Sequence, residues 1–223
     1  MAFIKCTGLS RTFGTGDAAC HALRNVTFEA DSGELIAICG ASGAGKTTLF
    51  HILAGMDTDY EGSCFVAGKE MKQLNDEKRC RLRRSVIGII EQDYNLLPFL
   101  TVQENTECIV RIDSKKPESQ KALQALGIYN KRSCFPHELS GGEKQRVAIA
   151  RLLMQNPQIV LADEPTGNLD QASGKIVMEL LQGLAERGCL VLLITHDAAL
   201  AGQCSRILMI YDGVLYEQQP EVS

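Results

Sequence analysis

The chain has 223 residues, 45% of them hydrophobic and 22% charged, and a formal net charge of −4 at pH 7. This composition is typical of a globular protein with room for one large α/β domain or two small ones. The slightly acidic balance argues against binding to nucleic acid or to an anionic membrane surface.

Neither a targeting segment nor a membrane span is predicted. Residues 1–5 lack the basic start and long apolar run of a signal peptide. No apolar run approaches the ~20 residues that cross a bilayer. We therefore expect a cytoplasmic chain that reaches a membrane only through a partner.

The nine cysteines show no CxxC pair and no Cys/His cluster. An odd number of scattered thiols argues against a disulfide framework or a zinc site. We interpret them as reduced packing residues.

The first part of the chain predicts strands. Residues 3–6 and 22–28 alternate apolar and polar side chains, with a turn-like segment at 14–17 between them. This period of two indicates antiparallel strands. The continuous apolar run at 35–39 indicates a strand buried on both faces, and a helical pattern at 49–54 follows it.

Further along, strands alternate with helices. We predict strands at 86–90, 159–162, 190–194 and 207–211, and helices at 143–155 and 173–186. Residues 102–126 read as two helices separated by a break at 114–117. The fold class predicted is α/β: a mainly parallel sheet covered by helices, an N-terminal antiparallel β part, and a helical insertion at about 92–138.

Residues 40–47 fit the pattern G-x-x-x-x-G-K-S/T between a predicted strand and a predicted helix. Such a loop turns its N–H groups inward around a phosphate chain, which glycines permit. Lys46 would reach the β- and γ-phosphates and Thr47 would bind Mg²⁺, whereas a plain glycine-rich turn leaves Lys46 unexplained. The expected nucleotide contacts are Gly40, Ala41, Ser42, Gly43, Ala44, Gly45, Lys46, Thr47 and Thr48.

A second candidate lies where the strand predicted at 159–162 ends in two acids. Asp163 would hold the magnesium ion through water, and Glu164 would accept a proton from an attacking water. The alternative is an acidic loop at a sheet edge. Adjacent carboxylates at a buried strand end repel each other unless a cation is near, which favours the metal.

The third candidate is residues 139–143, with Ser140, Gly141 and Gly142 at the start of a predicted helix. Two interpretations are open. The exposed N–H groups of this helix start can bind an anion, or Ser140 is an ordinary N-cap of a surface helix.

Together these segments resemble the nucleotide-binding subunit of ATP-binding cassette (ABC) transporters over nearly the whole chain, as a single domain at 1–223. The resemblance implies that Gln92 senses magnesium and the attacking water, that the loop with Asp170 crosses to a second subunit, and that His196 holds the γ-phosphate. Phe13 is the candidate for the aromatic side chain that stacks on adenine. Glu91 departs from the family, which usually has an apolar or aromatic residue there.

The same resemblance implies a homodimer with MgATP between the subunits. Lys46, Thr47, Gln92, Asp163 and Glu164 would act with His196 from one chain. Ser140 and Gly142 of the other chain would cap the γ-phosphate.

Residues 16–17, 95–98, 101–105 and 162–170 are similar to ATPases of the macrolide-export, lipoprotein-release and antimicrobial-peptide group. This similarity implies an ATPase on the cytoplasmic face of the membrane that energises a permease exporting a peptide, lipoprotein or antibiotic. The alternative is an ABC ATPase that regulates a membrane complex without transport, as in cell division. A DNA or ribosome ABC protein is disfavoured because the chain has neither a coiled-coil insertion nor a second cassette.

His21, His51 and His137 have no ligand-like spacing, and we interpret each as structural or solvent-exposed. The basic residues at 78–84 read as a solvated helix face, with contact to an acidic permease loop as the alternative.

Overall fold

The computed structural model describes residues 2–91, 93–109, 116–167 and 169–218. Within those ranges the chain forms two sheets and the helices that cover them. The strands are β1 (Ile4–Phe13), β2 (Cys20–Ala30), β3 (Leu35–Cys39), β4 (Glu61–Val66), β5 (Lys69–Glu70), β6 (Ile87–Ile90), β7 (Ile159–Asp163), β8 (Leu190–Ile194), β9 (Arg206–Tyr211) and β10 (Val214–Gln218). The α-helices are α1 (Lys46–Leu53), α2 (Asp76–Ser85), α3 (Val102–Glu107), α4 (Lys116–Ala125), α5 (Gly141–Gln155), α6 (Gln171–Glu186) and α7 (Ala198–Ala201).

The larger sheet has the strand order β10-β9-β3-β8-β7-β6 in the described part of the chain. Its strands run parallel from β9 to β6, whereas β10 is antiparallel to β9. Alternate residues of β3 face opposite sides. Ile36 and Ile38 join the core around α1, whereas Leu35 and Ala37 join the core under α5 and α6. Burial on both faces explains the unbroken apolar run, as predicted.

The smaller sheet, β2-β1-β4-β5, is antiparallel and covers the other side of α1. β1 and β2 are longer than the alternating pieces that predicted them. β4, β5 and β10 were not predicted: β5 and β10 are strands at sheet edges, and β4, which lies between β1 and β5, is only six residues long, so each carries little periodic signal.

Helices α3 and α4 lie between β6 and α5 in the chain and pack against α5. Two helices were predicted here, with a break at 114–117. Residues 114 and 115 lie outside the described residues, whereas Lys116 and Pro117 belong to α4, so the second helix begins earlier than predicted. α3 begins with a capping box in which Thr101 and Glu104 bond each other's backbone N–H.

The basic residues of α2 are only partly a solvated face. Lys78, Arg81 and Arg84 are exposed. Arg83, in contrast, turns inward and donates to the carbonyl oxygens of Ala54 and Gly55 at 3.2 and 3.1 Å. These carbonyl groups lie just after the end of α1, and the guanidinium gives them the hydrogen-bond donors that the helix does not supply. The hydrophobic pattern could not show which arginines point inward.

All nine cysteines are free thiols, but the expected packing role holds only for some of them. Cys6, Cys64, Cys189 and Cys204 are buried, while Cys20, Cys80 and Cys108 are exposed.

Candidate active site

The loop at 40–45 joins the end of β3 to the start of α1. Its shape requires glycine at two positions, because a Cβ on Gly40 would lie 2.2 Å from the carbonyl oxygen of Ile210, and one on Gly45 would lie 2.2 Å from that of Ala22. The ammonium of Lys46 donates to the carbonyl oxygens of Gly40 and Ala41 at 2.7 and 2.8 Å. The lysine therefore spans the loop around the space where a phosphate chain would lie.

Most of the other residues expected to contact the nucleotide face solvent. Ala41, Ser42, Gly43 and Thr47 are exposed, while Ala44 is buried against the core. Thr48 is half-buried in the first turn of α1. The exposed N–H groups stand at a helix N-terminus, whose dipole favours an anion.

Asp163 ends β7 at the same edge of the sheet. Its register partner is Ile194, the last residue of β8. Burial raises the pKa of Asp163, and the neighbouring charge of Glu164 raises it further, while Lys46 opposes both. A half-buried carboxylate with a raised pKa is stabilised as an anion by a bound cation.

Glu164 leaves the strand in a left-handed conformation with φ of +47°. Its backbone N–H donates to the carbonyl of Ile194 at 3.0 Å, and its side chain is only 18% exposed. A non-glycine residue is rarely found in this region. The strained turn directs the Glu164 carboxylate toward the loop after β8.

His196 meets that carboxylate. Its Nδ1 lies 2.6 Å from Glu164 Oε1, and its backbone N–H donates to the same oxygen at 3.1 Å. The hydrogen bond and the charge of Glu164 raise the pKa of His196. The imidazole itself is largely exposed, so its other nitrogen is open to a ligand.

Four of the predicted site residues thus lie at one edge of the large sheet, where β3, β7 and β8 end: Lys46, Asp163, Glu164 and His196. Gln92 lies outside the described residues, as does Asn168. The segment just after Gln92 is held by Arg151 of α5, which donates to the carbonyl oxygens of Tyr94 and Asn95 at 2.8 and 2.6 Å.

Ser140, Gly141 and Gly142 are elsewhere. Ser140 caps α5: its hydroxyl accepts from the N–H of Glu143 at 3.3 Å, and the Glu143 carboxylate accepts from the N–H of Ser140 at 2.9 Å. That backbone hydrogen bond lowers the pKa of Glu143. In the described ranges, no hydrogen bond or ion pair joins this cap to the edge cluster. The N-cap interpretation is correct for the isolated chain, and Ser140 and Gly141 remain exposed.

Asp170 is an N-cap as well. Its carboxylate accepts from the N–H of Ser173 at 2.9 Å and from the Ser173 hydroxyl at 2.7 Å, and the backbone bond lowers the pKa of Asp170. Arg146 of α5 donates to the same hydroxyl at 2.8 Å. Sequence reasoning missed Arg146 and Ser173. The spacing of Asp170 and Ser173 is a helix-start pattern that indicates the cap, but no pattern indicates Arg146.

Phe13 ends β1 with 43% of the residue exposed. Its ring lies under the guanidinium of Arg11, 4.2 Å from the centroid. Sequence reasoning did not single out Arg11.

A family model described as ABC transporter matches residues 23–167. The chain belongs to the ABC transporter family. The matched range contains the loop at 40–47, the Ser140 segment and the Asp163–Glu164 pair, and the family predicted from the sequence is confirmed. The chain is accordingly an ATP-binding ABC ATPase.

Individual relatives match nearly the whole sequence of this chain. The chain is 38% identical over 219 residues to the uncharacterized ABC transporter ATP-binding protein MJ1508 of Methanocaldococcus jannaschii, covering 96% of this chain and 98% of that protein. It is 39% identical over 230 residues to the macrolide export ATP-binding/permease protein MacB of Neisseria gonorrhoeae, but spans only 36% of MacB.

Solved structures confirm the predicted fold class. The dimeric ABC transporter cassette MJ0796 superposes with a TM-score of 0.92 at 34% identity, over 99% of this chain and 100% of that one. A dimeric post-hydrolysis state of MJ0796 bound to ADP and Pi superposes with a TM-score of 0.90 at 35% identity, with the same coverage. In the described residues of the present chain, no helix is long and apolar enough to cross a bilayer.

Proposed function

We propose that this ABC ATPase works as a homodimer that binds two MgATP molecules between its subunits and uses their hydrolysis to drive a membrane permease of the exporter type. The observation that carries the proposal is that the residues proposed to bind phosphate lie in two separate places within one chain. Lys46, Asp163, Glu164 and His196 lie at one edge of the large sheet, and Ser140 with Gly142 lies at a helix start that makes no polar contact with that edge among the described residues.

In this proposal Lys46 and the loop N–H groups hold the phosphates. Thr47, Asp163 (through water) and Gln92 would hold Mg²⁺, which would neutralise phosphate charge when bound. The donor set fits that ion, since hydroxyl, carboxylate and amide oxygens are the ligands that Mg²⁺ prefers. Asp163 is half-buried with a raised pKa, which a cation offsets.

Glu164 is the proposed base for the attacking water, and His196 contacts the γ-phosphate. The Glu164–His196 hydrogen bond of 2.6 Å keeps the carboxylate in place before the nucleotide arrives. Phosphoryl transfer asks mainly for positioning and charge stabilisation, so a preformed pair suits the task.

The cap would come from the second subunit. The N-terminus of α5 offers the backbone N–H groups of the exposed Gly141 and the half-buried Gly142, next to the Ser140 hydroxyl. A γ-phosphate placed there completes the site and holds the dimer together. The dimeric structures of MJ0796 support this arrangement. Asp170 at the start of α6 would face the partner.

The Glu164→Gln variant tests the two-subunit site. It should bind ATP normally and hydrolyse it slowly, so an ATP-bound dimer accumulates in size-exclusion chromatography. Adding ADP instead should leave it monomeric. A variant that binds ATP but elutes only as a monomer would contradict the shared site.

The permease would contact the apolar side chains after β6. Leu97 and Phe99 are 38% and 71% exposed, and both lie directly before α3. Exposed apolar side chains in one segment are typical of a protein interface. The proposed location is therefore the cytoplasmic face of the membrane, reached through the permease. Similarity to MacB supports the exporter type.

Affinity purification from detergent-solubilised membranes tests this partner. The tagged chain should recover a multispanning membrane protein, and Phe99→Asp should reduce its recovery without changing ATPase activity. An equal change at the exposed Tyr216, on β10, should have no effect. Equal recovery with Phe99→Asp would contradict this surface.

A further inference from the structure

Arg11 occupies a position that the catalytic proposal does not use. It lies on β1 two residues before Phe13, and its guanidinium carbon stands 4.2 Å from the centroid of the Phe13 ring. Only 14% of the Arg11 side chain is exposed, against 43% of Phe13. One face of the ring is therefore covered by a cation, and the exposed part of Phe13 is left for a ligand.

Two carboxylates hold the guanidinium there. Arg11 Nε donates to Asp57 Oδ2 at 2.8 Å, and Nη1 donates to Asp59 Oδ2 at 2.7 Å. Asp57 is 17% exposed and Asp59 is 88% exposed, so Asp57 makes the more shielded of the two ion pairs. Nη1 also donates to the carbonyl of Thr12 at 3.0 Å, which fixes the guanidinium relative to the strand.

Asp57 is itself held by the C-terminal turn of α1. Its backbone N–H donates at 3.2 Å to the carbonyl of His51, in the last turn of α1. The same helix begins at Lys46. Arg11 thus links the strand that ends in Phe13 to the far end of the helix whose start carries the phosphate-binding lysine.

The physical effect of such a contact is known in general terms. A cation over an aromatic face is attracted by the ring quadrupole, and arginine adds a flat surface that stacks. An aromatic ring that is held on one face has less rotational freedom to lose when a base stacks on the opposite face. Preorganisation of this kind strengthens binding of the base and leaves binding of the phosphates alone.

We propose that Arg11 is a positioning residue for recognition of the nucleotide base. Held by Asp57, it keeps the Phe13 ring oriented for stacking and so lets the protein favour a nucleotide over a bare polyphosphate. The inference rests on the proposed function, in which Phe13 stacks on adenine.

The test compares two ligands on the full-length chain: MgATP, which has a base, and magnesium tripolyphosphate, which has none. Isothermal titration calorimetry measures both affinities. Arg11→Ala should weaken ATP binding about 3- to 10-fold, the size of a partly shielded cation–π contact, and leave tripolyphosphate binding unchanged. The KM for ATP should rise by a similar factor while kcat stays the same.

Three further variants define the contact. Phe13→Leu should weaken ATP binding about 5-fold or more, as loss of base–aromatic stacking does. Arg11→Lys keeps a cation beside Asp57 but loses the flat guanidinium, so it should show part of the base-specific loss at unchanged melting temperature. Lys5→Ala is the matched control, since it removes a cation of β1 that pairs with Glu29 at 2.5 Å on the exposed side.

The outcomes separate this inference from the proposed function. If Phe13→Leu weakens ATP binding and neither Arg11 variant does, Arg11 has no positioning role and base stacking stands. If Arg11→Ala lost affinity equally for ATP and for tripolyphosphate, Arg11 would contribute only to general stability, and the inference would be overturned. Tighter ATP binding by Arg11→Ala would also overturn it, because the guanidinium would then be competing with the base. Unchanged ATP binding in Phe13→Leu would show that Phe13 does not stack on adenine, which would overturn both this inference and the stacking role in the proposed function.

Discussion

The edge of the large sheet and the start of α5 differ in how their polar groups are satisfied. At the edge, residues from different elements hold one another: Lys46 spans its loop, and Glu164 bonds His196 across from β7 to the loop after β8. At the start of α5, Ser140 bonds with its own helix through Glu143, and the described part of the chain offers it no bond to another element.

This difference explains why one region looks like a site in a single chain and the other does not. The edge gathers charges at high local density and shifts the pKa of Asp163 and His196 upward. The α5 start has its hydroxyl and carboxylate paired in a cap and needs no ligand for stability. Its N–H groups become useful only if another surface supplies an anion.

Lys46→Ala should have the largest effect, because it removes the ammonium that closes the loop and that we propose to contact the phosphates. We expect turnover to fall about 100-fold or more, since the lost contact strengthens as charge develops on the transferred group. Steady-state phosphate release measures it. Lys5→Ala, which removes an exposed cation, should leave the rate unchanged. Hydrolysis near the wild-type rate in Lys46→Ala would contradict the phosphate assignment.

Ser140→Asp sharpens the comparison, because aspartate caps a helix as well as serine does but carries a negative charge. It should keep the melting temperature and lose about 10-fold or more in turnover through repulsion of the γ-phosphate. Ser140→Ala should instead cost about 1 kcal/mol of stability from the lost cap.

Thr101→Ala, which removes the equivalent cap of α3, is the control for stability alone. It should resemble Ser140→Ala in melting temperature and keep its turnover. Unchanged turnover in Ser140→Asp would leave Ser140 as an N-cap and nothing more.

The pH dependence of His196 gives the smallest effect. Because Glu164 raises its pKa, the charged pair persists to higher pH than an isolated histidine would allow. Its stabilising contribution is fully present below the unfolded-state pKa and is lost as pH rises through the folded-state pKa. An NMR titration of the imidazole should show a lower pKa for His196 in Glu164→Gln than in the wild type. The same pKa in both proteins would show that the pair does not form in solution.

Much of the fold follows from local pattern. The strands at 35–39 and 190–194 were predicted with the bounds that the structure shows, because strands buried on both faces read as continuous apolar runs. The edge strands β5 and β10 were missed, since they are short or partly exposed and carry mixed side chains. The inward turn of Arg83 was likewise hidden, because its partners are carbonyl groups of a different element.

For the site, the sequence by itself determined the chemistry. Lys46 and Thr47 at fixed spacing after a strand, and two acids after another, are local patterns that a nucleotide site requires. Only the tertiary structure decided how these groups meet: the left-handed turn at Glu164, its bond to His196, and the Arg11 guanidinium over Phe13. Those contacts either join residues far apart in the chain or depend on the face of the strand from which a side chain projects. Such placement is set by the packing of strands and helices, and spacing along a sequence does not encode it.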